Sequence, residues 1–170
     1  MGLFLCNTDC QSVIKITSPI HNKMEITQNN FLISTDKSKL QIDVIHDYLS
    51  NHSYWAENIP LEIVERSIEN SMAFGVYYQE ESTLKQVGFC RVISDLSTFA
   101  YLADVFILEE YRGQGLSKFL VETVLKHSDL QGLRRWTLGT RDAHGLYAQY
   151  GFTPLDKPQN FMQIKVENLY

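Results

Sequence analysis

The chain has 170 residues, 44% of them hydrophobic and 21% charged, with a formal net charge of −5. That length and composition suit one globular domain with its own core. The acidity, with no basic stripe to offset it, argues against a general nucleic-acid binder. No apolar run reaches the roughly 20 residues of a membrane-spanning helix.

Met1 to Cys6 is apolar but short, and no basic region precedes it, so no secretory leader is expected. Gly2 stands where a myristoylated glycine would, yet Cys6 occupies the place of the Ser or Thr that such a motif wants. Cys6, Cys10 and Cys90 form neither a disulfide nor a metal framework, and a cytoplasmic location is expected. Residues 1–27 read as an N-terminal extension partly outside the domain pattern, with a short strand at Ser12–Thr17 and Met24 as a candidate second start. Residues 28–170 read as a single domain.

Phe31–Ser34 reads as the first strand of that domain. Ser38 and Gln41 have capping-box spacing, and Leu40, Val44 and Tyr48, with Ile45 and Leu49, form a helical stripe behind them. Residues 51–59 read as a loop carrying His52, Tyr54, Trp55 and Glu57. Pro60 suits the first turn of a second helix. Its buried face is expected at Leu61, Val64 and Ile68, and Glu62 complements its dipole. Ala73–Tyr78 and Gln86–Ile93 read as strands joined by a polar link into a hairpin. A turn at Asp95-Leu96-Ser97 leads into a long strand, Phe99–Leu108, with Cys90 inside the strand before it.

A glycine turn follows, then a helix with Leu116, Phe119, Leu120 and Val124 on one face. Leu133–Leu138 reads as a further strand. Asp142 suits the N-cap of a short helix ending near Tyr150, with Gly151 as its stop. Beyond Pro158, Phe161–Val166 reads as a closing strand. The expected class is α/β (α+β mixed sheet), mostly antiparallel. The strands on either side of the helix after the glycine turn are expected to run parallel.

The glycine turn is the most informative segment. Tyr111-Arg112-Gly113-Gln114-Gly115-Leu116-Ser117-Lys118 follows an apolar strand and opens a helix. Two glycines allow a tight turn, and a helix start presents unpaired N–H donors and the positive end of a dipole. Together they make a phosphate cradle. A Walker loop is absent. A dinucleotide fingerprint wants a third glycine where Lys118 stands. A third pattern, Arg or Gln, two residues, Gly, one residue, then Gly or Ala, is met from Arg112 to Leu116 and departs only at Ser117.

On these residues the chain resembles the GNAT superfamily of N-acetyltransferases. The flanks agree. Asp104-Val105-Phe106-Ile107-Leu108 leads in, and Tyr147 stands four residues before Gly151-Phe152, as in the family's second signature. The order of elements from Phe31 to Val166 also matches the family fold. The first 24 or so residues lie outside the resemblance.

The resemblance implies acetyl-CoA as cosubstrate and acetyl transfer to a primary amine of a small molecule or peptide. No cysteine is positioned as an acyl carrier, so direct attack in a ternary complex is expected. The pyrophosphate would rest on the N–H groups of Gly113, Gln114, Gly115, Leu116, Ser117 and Lys118. Arg112 and Lys118 would be free to add charge-assisted contacts. The family's strand before the turn carries a bulge and splays from its parallel neighbour, so the backbone of Val105, Phe106 and Ile107 is the expected partner of the pantetheine arm. A backbone N–H near Val105 or Ile107 would stabilise the oxyanion. Tyr147 matches the family's general acid, with Tyr150 as the competing tyrosine.

Asp104 has apolar neighbours, the setting of a raised carboxyl pKa, and is the candidate base. Two alternatives stand beside that role: a carboxylate that orders the bulge or binds the substrate ammonium, and an ordered water as base. Glu109 and His144 are weaker acid–base candidates. Tyr54 and Trp55 are candidates for an aromatic wall around the acceptor ammonium, or for an anchor of their loop. No metal is expected. A homodimer is left open, because the sequence says nothing firm about dimerisation. The other reading of function is a non-catalytic module that binds acetyl-CoA or a protein partner with the same fold.

Overall fold

In the computed structural model, residues 23–80, 83–166 and 170 are described. Six strands form one sheet in chain order: β1 (Glu25–Gln28), β2 (Phe31–Ser34), β3 (Met72–Glu80), β4 (Thr83–Ser94), β5 (Phe99–Ile107) and β6 (Arg135–Thr137). Every pairing is antiparallel except β5 with β6, which is parallel and follows a helical crossover. The helices are α1 (Ile42–Asp47), α2 (Leu61–Glu69), α3 (Leu116–Leu125) and α4 (His144–Ala148).

β2 is buried along its whole length and β3 along most of it, because helices cover both faces of the sheet. One core holds Phe74, Val76 and Cys90 of the sheet with Leu116, Leu120 and Val124 of α3. The other holds Phe89 and Phe106 with Ile45 and Leu49, Val64 and Ile68 from α1, the turn after it and α2.

A bulge in β5 redistributes its side chains between the two cores. Phe89 pairs with Phe106 and Arg91 with Ala103, so Asp104 and Val105 stand opposite the single residue Cys90. Asp104 adopts a φ of 54°, a left-handed conformation that Asp tolerates better than most residues. Ala100 and Leu102, before the bulge, face the α3 core. Beyond it, Phe106 faces the α1 core and Ile107 the α3 core. Without the extra residue Phe106 would lie on the same face as Leu102.

Several expectations from the sequence are corrected. β1 precedes the first expected strand. The hairpin strands β3 and β4 run closer together, to Glu80 and Thr83. Ser38 is not an α-helix cap. It lies in a single 3-10 turn capped by Asp36, which accepts its N–H at 3.1 Å. Gln41 makes no reciprocal box contact, because its amide oxygen accepts the Gln86 N–H at 3.0 Å and its nitrogen donates to Leu84 at 2.7 Å. Leu61 is exposed, while Val64 and Ile68 are buried as expected.

Asp142 does not cap α4. The helix starts one residue later than that would need, and Thr140 Oγ1 accepts the Ala143 N–H at 3.0 Å. Among the described residues, Phe161–Val166 pairs with no strand. The proposed strand at Ser12–Thr17 lies outside the described residues.

Candidate active site

β5 pairs with β6 only over Phe99–Tyr101. From Leu102 onward, among the described residues, no strand lies beside β5 on the side away from β4. This leaves an open backbone edge along Ala103–Ile107. Val105 is half-buried, and Phe106 and Ile107 are buried, so the side chains of these two are core.

A single 3-10 turn, Glu109–Tyr111, carries the chain from β5 to the glycine turn. Gly113 and Gly115 have φ of 78° and 80°, and Gly115 is the residue just before α3. A Cβ at either would meet nothing within 4 Å, so the backbone conformation, not crowding, selects glycine here. The first N–H of α3 to bond backward is that of Phe119, to Gly115 at 3.0 Å. The N–H groups of Leu116, Ser117 and Lys118 lie ahead of it at the exposed helix start. A cavity of about 180 Å³ borders Gln114, Gly115 and Leu116.

Arg112 turns inward toward the scaffold. Its Nε donates to the Ile107 carbonyl at 3.0 Å and its Nη2 to the Tyr48 hydroxyl at 3.0 Å. The Tyr48 ring in turn stacks on Phe106 at 3.9 Å. Tyr48 begins a wide π-helical turn, Tyr48–His52, that continues α1. Strand end, glycine turn and α1 are therefore tied through one guanidinium.

Asp104 does not sit in the apolar setting expected of a base. Arg91 Nε donates to its Oδ2, and Trp55 Nε1 donates to its Oδ1 at 3.1 Å. The pair is largely shielded, at 18% exposure for Arg91 and 10% for Asp104. The bulge thus carries a carboxylate clamped between a guanidinium and an indole.

The loop that supplies Trp55 is fastened by its buried members. Ser53 Oγ donates to the Leu49 carbonyl at 2.6 Å and accepts the Ala56 N–H at 3.1 Å. Ser53 and Ala56 are buried, which turns the intervening Tyr54 and Trp55 outward. They meet edge to face at 5.0 Å and stay 44% and 40% exposed, so neither is a core anchor. The Arg141 guanidinium lies 3.8 Å from the Tyr54 ring centre, and the Arg141 N–H donates to the Tyr54 hydroxyl at 2.8 Å. The wall is therefore built from the loop before α2 and the loop after β6 together.

Tyr147 is 8% exposed, packed edge-on to Phe152 and joined to the α3-side core. Among the described residues its hydroxyl has no hydrogen-bond partner. Burial pushes its phenol up to about 12, and charge on Cys90, Tyr54 and Asp142 adds to the rise. Cys90 is the β4 residue opposite the bulge, and its own thiol is raised by burial and by Asp104. Tyr147 thus belongs to the same neighbourhood as the bulge and the aromatic wall. Tyr150 instead donates its hydroxyl to the Lys118 carbonyl at 3.0 Å, tying α4 to α3. His144 is exposed at the start of α4, Glu109 is exposed past β5, and Lys118 is exposed on α3.

Two members of this arrangement escaped the sequence reading: Arg91 and Tyr48. Arg91 left a signal, since an arginine within the apolar run Val87–Ile93 needs a partner. Tyr48 left none beyond its place on a helical stripe. Among the described residues no group of three or more His, Cys, Asp or Glu could hold a metal ion, and no helix is long and apolar enough to cross a membrane.

Residues 71–154 match the family model described as an acetyltransferase (GNAT) domain. A Gibberella zeae protein with an acetyltransferase name is 32% identical over 155 residues, spanning 81% of this chain and 84% of its own. A crystal structure of a GNAT-family protein from Xanthomonas campestris superposes with a TM-score of 0.77 at 53% identity, over 82% of this chain and 96% of that one. A Mycobacterium tuberculosis protein crystallised with CoA and NLQ shares the fold, at a TM-score of 0.57 and 17% identity, over 73% of this chain and 72% of its own.

Proposed function

Because the chain belongs to the GNAT family of acetyltransferases, we propose that it moves the acetyl group of acetyl-CoA directly to a primary amine. The acceptor is a small molecule or peptide, attack occurs within a ternary complex, and the setting is the cytoplasm. The observation that carries this reading is the parting of β5 from β6 after Tyr101, which opens a backbone edge beside the glycine turn.

Acetyl-CoA fits that gap as a substrate. The N–H groups from Gly113 to Lys118 form the pyrophosphate cradle, with Lys118 adding charge. Two Arg112 donors are engaged with Ile107 and Tyr48, and its remaining N–H groups add charge-assisted contacts to the phosphate oxygens. The β5 backbone at Val105, Phe106 and Ile107 lies along the pantetheine arm, as an added strand would. An N–H at Val105 or Ile107 meets the thioester oxygen as negative charge gathers on it.

The amine nitrogen attacks the thioester carbon, the tetrahedral centre collapses, and the C–S bond breaks. Tyr147 then gives its phenolic proton to the departing sulfur. A phenol raised to about 12 remains protonated throughout the neutral range, the state this step needs. The attacking nitrogen loses its proton to water or to Asp104. The clamp on Asp104 favours water, and leaves the carboxylate the work of holding the bulge and attracting an ammonium between Tyr54 and Trp55.

A panel of amines assayed by thiol release tests the reading. Release dependent on one class of primary amine, with acetyl recovered on its nitrogen, is the expected result. No transfer to any amine, with acetyl-CoA still bound, would support the non-catalytic module instead.

A further inference from the structure

Tyr54 and Trp55 are neighbours in sequence, yet their polar ends bond to opposite sides of the split between β5 and β6. The Trp55 indole N–H donates to Asp104 Oδ1 on the β5 bulge at 3.1 Å. The Tyr54 hydroxyl accepts the Arg141 N–H at 2.8 Å, in the loop that follows β6. The two strands last pair at Tyr101 and Thr137. Among the described residues, no hydrogen bond runs directly between Leu102–Ile107 and residues 138–152. The Tyr54–Trp55 step therefore spans a gap that the sheet leaves open.

The span is stiff. Its two rings meet edge to face at 5.0 Å, and the Arg141 guanidinium lies over the Tyr54 ring, so the far attachment is double. The loop is also closed on itself. The Asn58 N–H donates to the Ser50 carbonyl at 3.0 Å and the Ile59 N–H to the Ala56 carbonyl at 3.1 Å.

Each end meets a group that the proposed reaction uses. At one end, Asp104, with its φ of 54°, directly precedes Val105. The peptide plane between them carries the Val105 N–H, so a turn of the Asp104 backbone re-aims a candidate oxyanion donor. At the other end, Arg141 lies in a turn closed by Thr140 Oγ1 on the Ala143 N–H at 3.0 Å. The Ala143 carbonyl accepts the Tyr147 N–H at 3.4 Å. A shift of Arg141 is thereby passed to the start of α4 and to Tyr147.

We propose that Tyr54 and Trp55 are positioning residues whose hydroxyl and indole N–H form one cross-tie, fixing the β5 bulge relative to the helix of Tyr147. Oxyanion donor and general acid must address one thioester from two sides, and a small misplacement of either slows the reaction steeply. Arg141, Tyr54, Trp55 and Asp104 are linked in series, so the tie fails as a whole when either end is cut. What the two ends do rests on the catalytic reading, whereas the tie has a physical readout of its own.

Tyr54→Phe and Trp55→Phe keep an aromatic ring at each position and remove its polar end. Both residues are well exposed, so the variants retain the domain fold, and circular dichroism checks this. With the primary amine that gives the fastest thiol release, each variant should lose about 10- to 100-fold in kcat while the acceptor KM stays close to wild type. The double variant should lose no more than the worse single one, as contacts in series require. Unchanged kcat, or losses that multiply in the double variant, would overturn the proposal. So would a raised KM with kcat intact, the mark of a binding wall alone. Hydrogen exchange on the protein without acetyl-CoA reads the tie in the absence of any transfer. Tyr54→Phe should speed exchange at residues 103–107 and Trp55→Phe at residues 140–147, in each case the far end. Loosening confined to the near end would overturn the tie. Far-end loosening in a protein that acetylates no amine would uphold the tie and remove the catalytic reading.

Discussion

Replacing Tyr147 by Phe removes one oxygen and leaves the rest of the ring in place. The ring is 8% exposed and packs edge-on against Phe152 at 5.9 Å, contacts that phenylalanine keeps. The lost hydroxyl has no hydrogen-bond partner among the described residues, so its removal costs no more than about 1 kcal/mol of stability. For a domain of this size that is a shift in Tm of about 2–4 °C at most. A general acid contributes roughly 10²- to 10⁴-fold, equal to about 3–5 kcal/mol of barrier. The variant should therefore lose kcat by that factor, with a folded state close to wild type and little change in acetyl-CoA affinity. Steady-state thiol release, a thermal melt and calorimetric titration of acetyl-CoA measure the three quantities. Tyr150→Phe is the control, because its hydroxyl is spent on the Lys118 carbonyl. Unchanged kcat in Tyr147→Phe, or a larger loss in Tyr150→Phe, would refute the assignment.

The same phenol has a consequence for alkaline stability. A tyrosine held at about 12 in the folded chain, against about 10 when unfolded, favours folding fully below pH 10. That contribution falls away as pH rises from 10 through 12, so Tyr147→Phe should flatten this part of a urea-stability profile. Tyr77, fully buried with a hydroxyl that lacks a partner among the described residues, is also raised and should behave alike. Gly115→Glu should abolish acetyl-CoA binding in calorimetry. Gly115→Ala should cost about 1–2 kcal/mol from its left-handed φ alone, since its Cβ meets open space. Equal loss in the two variants would remove charge as the cause. Asp104→Asn should destabilise by about 3–5 kcal/mol by leaving Arg91 shielded without its counter-charge, and adding Arg91→Met should restore much of it. Additive urea-melt energies in that double-mutant cycle would show that the pair is not coupled.

The glycine turn was legible because its chemistry is local. Gly113 and Gly115 take positive φ where the spacing requires it, and a helix starts directly behind them. Tyr147 was singled out by its distance to Gly151-Phe152, which says nothing of its burial. The clamp on Asp104 was hidden, because it joins Arg91, Asp104 and Trp55 from three separate stretches of chain. Arg112 shows the same limit. Its charge beside the glycine turn suggested a ligand contact, and only the fold shows that two of its donors tie the turn to Ile107 and Tyr48. The capping box failed for a related reason: Gln41 found a better partner 45 residues away in Gln86. Phe161–Val166 failed differently: its pattern has the period of a strand, but among the described residues no strand edge pairs with it.

By itself the sequence determined the mixed sheet, most of its elements in order, the glycine turn at a helix start and the family resemblance. Each of these rests on periodicity or on backbone preferences within a few residues. Tertiary structure alone decided which face Phe106 occupies, what Asp104 is bonded to, and where β5 leaves β6. A bulge shifts every later side chain to the opposite face, and strands part according to contacts made far along the chain. The glycine turn can be written in eight residues, but the gap beside it exists only once β5 has parted from β6.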